Sequence, residues 1–243
     1  MIGGLAWPST NDYYRIICTM ANRHFADLGY DDPLPTPPMS IESVDISVTR
    51  KLRGNNDDPG SWAAFEDYFR NLLSALESAG VDFAFIASNT PHMRLDGIVK
   101  GSRLPVNSIL DATASALQDC GSDRALVLGT PVTMRAAAYP AALTRHNIEA
   151  FTLTNDTEVS ELARLIDIDI YAGDTESTRA WMMSMGKREQ KRSGIDTVCL
   201  ACTELPLAFP EHADDVEFEI DGLRYLNTTN AHARSVFLQA MQD

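Results

Sequence analysis

The chain has 243 residues, 44% of them hydrophobic and 22% charged, with 20 lysines and arginines against 34 aspartates and glutamates and a formal net charge of −14. That length buries a sizeable core in one large domain or two small ones, and charge spread along the chain at this hydrophobic content argues against wholesale disorder. The acidic surplus argues against a nucleic-acid binder or an anionic-membrane binder, because phosphates require a basic footprint, but it leaves room for a local cationic pocket that holds a small anion. No run of 18 apolar residues occurs, so no transmembrane helix is expected, and the start, Met1-Ile2-Gly3-Gly4, lacks the basic residues and long apolar stretch of a signal peptide. Four irregularly spaced cysteines, Cys18, Cys120, Cys199 and Cys202, point to a reduced, cytoplasmic protein.

Only Met1-Ile2 precede Gly3-Gly4, so the first strand is expected to be very short. Residues 31–38 form a proline-rich loop and 52–60 a polar one; both read as surface connections, of the kind that also line clefts. The spacing of Phe65, Tyr68, Phe69, Leu72, Leu73 and Leu76 predicts a helix over 61–79, with Ser61 as N-cap and Gly80 just past its end. A buried parallel strand follows over 81–87. Further on, the alternation predicts a helix over 108–120, a strand over 125–128, a helix over 132–146 and a strand over 148–153. Helices over 158–170 and 175–191, a strand over 197–201 and a closing helix over 229–241 complete the series. Strands alternating with helices predict an α/β protein with parallel sheets, whose ligands bind at the carboxyl ends of strands.

Two segments repeat at a constant offset. Ala79-Gly80-Val81-Asp82 and the strand to Ala87-Ser88 align with Ser193-Gly194-Ile195-Asp196 and the strand to Ala201-Cys202. Each copy runs from a helix end through glycine, an aliphatic residue and aspartate into a strand that delivers one small polar residue. We read them as two pseudo-symmetric α/β lobes facing each other across a central cleft, the first made of residues 1–100 and 208–243 and the second of 101–207. Ser88 and Cys202 are then the residues presented at equivalent strand ends.

Cys202 precedes Thr203-Glu204-Leu205-Pro206 at a strand-to-helix turn whose exposed N–H groups favour negative charge, so its thiol is expected to have a lowered pKa and to act as base or nucleophile; the alternative is a buried structural cysteine. Cys199 and Cys202 are three apart on a strand and face opposite ways, which argues against zinc or dithiol redox chemistry. Cys18 and Cys120 read as packing residues. Ser88-Asn89-Thr90-Pro91-His92, Gly129-Thr130-Pro131-Val132-Thr133 and Pro8-Ser9-Thr10 all offer hydroxyl, amide and N–H donors to a carboxylate. His92 and His232 read as satisfied structural histidines before orienting groups. No phosphate-binding glycine motif and no metal-ligand spacing appear, and the run Asp167-Ile168-Asp169-Ile170 reads as a solvated helix face.

These pieces together resemble the aspartate/glutamate racemase superfamily, in its amino-acid racemase branch. The resemblance is carried by GGLAWPSTNDYYR at the start, ASNTPH over 87–92, LGTPVTM over 128–134, ACTEL over 201–205 and TTNAHA over 228–233, in family order. It implies two α/β lobes, no cofactor, no metal, a homodimer, and a small carboxylate or amino-acid substrate held between the lobes. It implies catalysis by two thiols on opposite faces of the α-carbon, one taking the proton and the other returning it. By that resemblance Cys202 and Ser88 hold the catalytic positions, and Thr10, Arg53, Asn89, Thr90, Thr130, Thr133, Thr203 and Glu204 the substrate-binding ones. The chain departs from the pattern in having Ser88 for the first cysteine and Ala172 where some aspartate-specific members carry lysine, leaving Arg50 or Arg53 to read a side-chain carboxylate. The leading reading is therefore a cofactor-independent racemase or epimerase of an aspartate- or glutamate-like amino acid. The alternatives are a single-cysteine decarboxylase of malonate-type substrates and a catalytically idle carboxylate-binding protein.

Overall fold

The computed structural model describes residues 1–242 and divides into two units, Met1–Ser108 with the residues from His232 onward, and Ile109–Ala231. Both combine helices with mostly parallel strands.

The first unit opens with the short strand β1 (Ile2–Gly3). Gly4 turns the chain at φ +82°, where a Cβ would lie 2.3 Å from the Val44 carbonyl oxygen. The helix α1 (Trp7–Asp27) follows, an addition to the elements expected from the sequence; Pro8 in its first turn suits a helix start, and Ser9, Tyr13, Ile17 and Ala21 form its buried stripe. Next come β2 (Glu42–Ser43), α2 (Ile46–Leu52) and α3 (Ala63–Ser78). A 3₁₀ turn over Pro59–Trp62 makes Trp62, not Ser61, the N-cap of α3. Gly80 stands just past the end of α3 at φ +76°, the left-handed conformation that glycine adopts freely. The strand expected over 81–87 is only β3 (Ala84–Phe85), and α4 (Leu95–Ile98) and β4 (Val106–Asn107) complete the segment. β1 pairs with β2 and β3 with β4, both in parallel, as two short sheets, and an isolated parallel bridge joins Ile2 to Ile86 just past β3.

The second unit comprises α5 (Ile109–Asp119), β5 (Arg124–Gly129), α6 (Pro131–Arg135), α7 (Ala138–Thr144), β6 (Glu149–Phe151), α8 (Asp156–Arg164), α9 (Thr175–Ser193), β7 (Thr197–Ala201), β8 (Glu217–Ile220) and β9 (Leu223–Asn227). The helix α10 (Thr228–Ala240) begins in it and continues into the first unit. The sheet order is β6-β5-β7-β9-β8, parallel except for the β8–β9 hairpin, with every residue of β7 buried. The helix expected over 132–146 is two helices. Pro140 has no N–H to offer the Ala136 carbonyl and its ring would clash there, and Ala136 is accordingly extended at ψ 145°. The helix expected over 158–170 gives way after Arg164 to a π-helical turn, Leu165–Asp169, in which Ile170 N–H donates to the Leu165 carbonyl five residues back at 3.1 Å.

The lobe boundaries expected from the sequence are corrected. Residues 208–231 belong with the second unit, because β9 pairs in parallel with β7 inside the five-stranded sheet, and the other boundary falls after Ser108 instead of at residue 100. The internal repeat is physical. Gly194 adopts φ +66° past α9 as Gly80 does past α3, and Cys202 lies just beyond β7 as Ser88 lies beyond β3. Asp196, the repeated aspartate, is structural. It accepts from the Asp123 and Arg124 N–H groups at 2.9 and 3.0 Å and from the Ser122 and Thr197 hydroxyls, fixing the start of β5 against β7.

Candidate active site

In the second unit the register pairs Gly129 with Ala201, so Thr130 and Cys202 leave neighbouring parallel strands side by side at their carboxyl ends. The fit is close: a Cβ on Gly129 would lie 2.6 Å from the Ala201 carbonyl oxygen and 3.1 Å from Thr133 Cγ2. Thr130 caps α6, its hydroxyl accepting from the Thr133 N–H at 3.4 Å and sharing a 3.1 Å hydrogen bond with the Thr133 hydroxyl.

Cys202 is 7% exposed and its thiol donates to Glu204 Oε2 at 2.9 Å. Glu204, itself 8% exposed, also accepts from the Thr203 hydroxyl at 3.0 Å on the same oxygen and from the Tyr171 hydroxyl at 3.0 Å on Oε1. Burial pushes the Cys202 thiol well above its ordinary range, and the neighbouring Glu204 carboxylate pushes in the same direction. The lowered pKa expected from the strand-to-helix turn is therefore corrected: desolvation and a carboxylate outweigh the backbone N–H groups. Both effects favour the proton staying on sulfur. Cys199, wholly buried on β7, is pushed up as well, chiefly by desolvation, and all four cysteines are free thiols.

In the first unit Ser88, Asn89 and Thr90 lie consecutively beyond β3, with Asn89 and Thr90 buried and Ser88 half-buried. The strand end is anchored by Ala87 N–H donating to the Ile2 carbonyl at 2.9 Å. The Ser9 hydroxyl, shared between the Ala6 and Ala87 carbonyls at 2.8 and 3.0 Å, ties α1 to the residue before Ser88. Thr10, one residue on, accepts from the Gly4 N–H at 2.8 Å, so its hydroxyl shapes the turn into α1. His92 Nδ1 donates to the backbone carbonyl of Ser88 at 2.8 Å. No side chain among the described residues hydrogen-bonds to the Ser88 hydroxyl, which thus has no base in its own unit. His232 Nε2 donates to the Asn107 carbonyl at 3.1 Å, so its Nδ1 accepts from Tyr13 at 2.7 Å. Arg50 is exposed on the last turn of α2, and Arg53 is half-buried at its C-cap.

The structure thus groups Thr130, Thr133, Cys202, Thr203 and Glu204 at one sheet end and Ser88, Asn89 and Thr90, with Thr10 adjoining, at another. Sequence reasoning missed Tyr171. Its neighbour Ala172 was weighed as the lysine position, and the signal for Tyr171 is the π-helical turn, which amphipathic periodicity does not reveal. Among the described residues no group of three or more His, Cys, Asp or Glu side chains is placed to hold a metal, and no helix is long and apolar enough to cross a membrane.

Comparison with known proteins gives the family and the fold. The family model described as Asp/Glu/Hydantoin racemase matches residues 2–236. A glutamate racemase from Mycobacterium leprae is 32% identical over 141 residues, a stretch that covers 56% of this chain and 48%, about half, of that relative. An aspartate racemase homologue from Pyrococcus horikoshii superposes with a TM-score of 0.76 at 26% identity, covering 99% of this chain and 97% of that one. An aspartate racemase from Picrophilus torridus, at 20% identity and a TM-score of 0.65 over 98% of this chain and 92% of its own, shares the fold. A match over nearly the whole length identifies the chain as a member of the Asp/Glu/hydantoin racemase family, whose amino-acid racemases are isomerases.

Proposed function

We propose that this protein is a cofactor-independent racemase or epimerase of an acidic amino acid, with the Cys202 thiol transferring a proton at the α-carbon and Ser88 as the weaker partner. The observation that supports this most is a buried thiol held by Glu204 at a strand end rich in hydroxyl donors. Inverting a stereocentre requires removing a proton from one face and returning one to the other. Without an electron sink, the carbanion has to be stabilised by donors to the carboxylate, and we assign that task to Asn89, Thr90, Thr130 and Thr203. Such donors act most strongly where water is excluded, and Asn89 and Thr90 are buried. The reaction balances as one α-proton out and one proton in, with no net redox change. We place the enzyme as a homodimer in the cytoplasm, acting on a small carboxylate substrate.

A hydroxyl without a base as one partner and a thiol as the other would make the two directions unequal. Each enantiomer of aspartate and glutamate is incubated in deuterated water, with α-deuterium followed by NMR and configuration by chiral chromatography. Inversion with deuterium incorporation, faster from one enantiomer, is the expected result; no exchange and no inversion for any of the four refutes the assignment.

The same inequality supports a second reading, decarboxylation of a disubstituted malonate. Loss of carbon dioxide itself creates the carbanion, and one thiol then suffices to protonate it. Carbon dioxide release from such malonates, with no inversion of amino acids, would select that reading.

A further inference from the structure

The Glu204 carboxylate has two oxygens and two different environments. Oε2 faces the protein interior, where it accepts from Cys202 and Thr203; Oε1 accepts from the hydroxyl of Tyr171, a residue 49% exposed. Tyr171 reaches it from the segment that follows the π-helical turn Leu165–Asp169, in which the extra residue of the wider turn resets the helix phase. A second wide hydrogen bond, Asp174 N–H to the Asp169 carbonyl at 2.8 Å, closes the same segment, and Arg164 pairs with Asp169 at 2.6 Å. The segment that carries Tyr171 is therefore pinned on both sides.

We propose that Tyr171 is a positioning residue that holds Glu204 against the Cys202 thiol and draws negative charge off it, so that the thiol can release its proton. The phenol donates to Oε1 and takes up part of the charge that Oε2 would otherwise turn on the sulfur. With less charge on that oxygen, a thiolate at Cys202 is repelled less. When Cys202 gives its proton to a carbanion, the thiolate is left beside a carboxylate, two negative charges in a dry site, and it takes a proton back readily. The groups that bear on the thiol from packed elements are Glu204 on its own loop, Asp167 on the π-helical turn, and Tyr139 on α7, itself buried and pushed far up by desolvation. The two carboxylates push its pKa the same way as burial does. Tyr171 is the member of this set that lies toward solvent.

The inference rests on the proposed function only in assigning Cys202 to proton transfer; the thiol's state is read without substrate. Iodoacetamide alkylation of Cys202 is followed against pH by mass spectrometry of the peptide that contains it, in wild type, Tyr171→Phe, Glu204→Gln and the double variant. Tyr171→Phe removes one oxygen from a half-exposed side chain, and Glu204→Gln keeps the shape while removing the charge. Thermal unfolding of each variant verifies that it is folded. Glu204→Gln is expected to alkylate faster than wild type at pH 8, with the midpoint of the profile moved to lower pH, and Tyr171→Phe more slowly, by roughly threefold to tenfold, with the midpoint moved to higher pH. In the Glu204→Gln background, adding Tyr171→Phe is expected to change nothing further, because no carboxylate remains for the phenol to stabilise. A Tyr171→Phe profile that coincides with wild type overturns the proposal, and so does a shift of equal size with and without Glu204. These outcomes do not depend on turnover. An enzyme that inverts amino acids but shows no such shift defeats this inference alone, and the expected shift in a protein that turns over no amino acid defeats only the racemase assignment.

Discussion

Gly129→Ala tests the strand register on which the second unit's site depends. The new Cβ would sit 2.6 Å from the Ala201 carbonyl oxygen, roughly 0.8 Å inside the 3.4 Å at which ordinary contact begins, and 3.1 Å from Thr133 Cγ2. The threonine methyl can give by the few tenths of an ångström it needs. The carbonyl cannot, because it belongs to a wholly buried central strand paired on both sides, by β5 and β9. Overpacking of this kind costs about 1–3 kcal/mol, and at this chain length each kcal/mol lowers the melting temperature by about 2–4 °C. A fall of roughly 4–8 °C is therefore expected by calorimetry for the middle of that range. The displaced carbonyl is that of the residue immediately before Cys202, so the Cys202–Glu204 contact should loosen as well, and the alkylation rate of Cys202 should rise. A Gly129→Ala protein that melts within about 1 °C of wild type, with Cys202 alkylation unchanged, would falsify the described pairing of β5 with β7.

Cys202→Ser is expected to lower proton exchange at the α-carbon by about a hundredfold or more, since a hydroxyl replaces the thiol as acid; retained exchange in deuterated water refutes the role. Ser88→Cys is expected to raise inversion by at least about tenfold and to narrow the difference between the two directions, because a second thiol supplies the missing base; steady-state rates from both enantiomers check it. Asp196→Ala removes the acceptor of two N–H groups and two hydroxyls and should cost about 3 kcal/mol in urea unfolding; a loss under about 0.5 kcal/mol contradicts its structural assignment. His232 is held neutral, its pKa pushed well below 6.5 by burial and then by nearby His92. Between the folded and the unfolded pKa the unfolded chain binds the extra proton, so stability from this group is full above pH 6.5 and is lost as pH falls from there. Melting temperatures measured from pH 7 to pH 5 should fall more steeply for wild type than for His232→Gln, and parallel curves would refute this.

The sequence made the larger plan legible where local physics and tertiary context agreed. α3 keeps strict spacing of its aromatic and leucine residues and ends on a left-handed glycine, and β7 is a short apolar run of the kind only a central parallel strand requires. The repeat found in the sequence proved physical because both copies need the same glycine turn before a strand. The misses share a cause. β8 and β9 are half-polar, and their turn, Asp221-Gly222 with both residues at positive φ, was a hairpin signal left unused; without it, residues 208–231 went to the wrong unit. Pro140 likewise carried the break between α6 and α7 in plain view. The π-helical turn had no such marker, and Tyr171 depended on it. The strand-end position of Cys202 was legible, but the direction in which its surroundings push the thiol was not. A turn's N–H groups are visible in a sequence, whereas the depth of burial and the direction in which Glu204 folds back are not.

Because the second unit is inserted between the two stretches that make up the first, synthesis on the ribosome meets them out of order. Tyr13 leaves the ribosome 219 residues ahead of its hydrogen-bond partner His232. The cluster of Met1, Tyr13, Ile17, Phe85 and Ala87 likewise lacks Ala233 and Val236 until α10 arrives. Through most of elongation the nascent N-terminal stretch therefore carries an open apolar seam, while Ile109–Ala231 can mature as soon as β9 clears the exit tunnel. A chain terminated before residue 232 should retain a native second sheet and present that seam to chaperones.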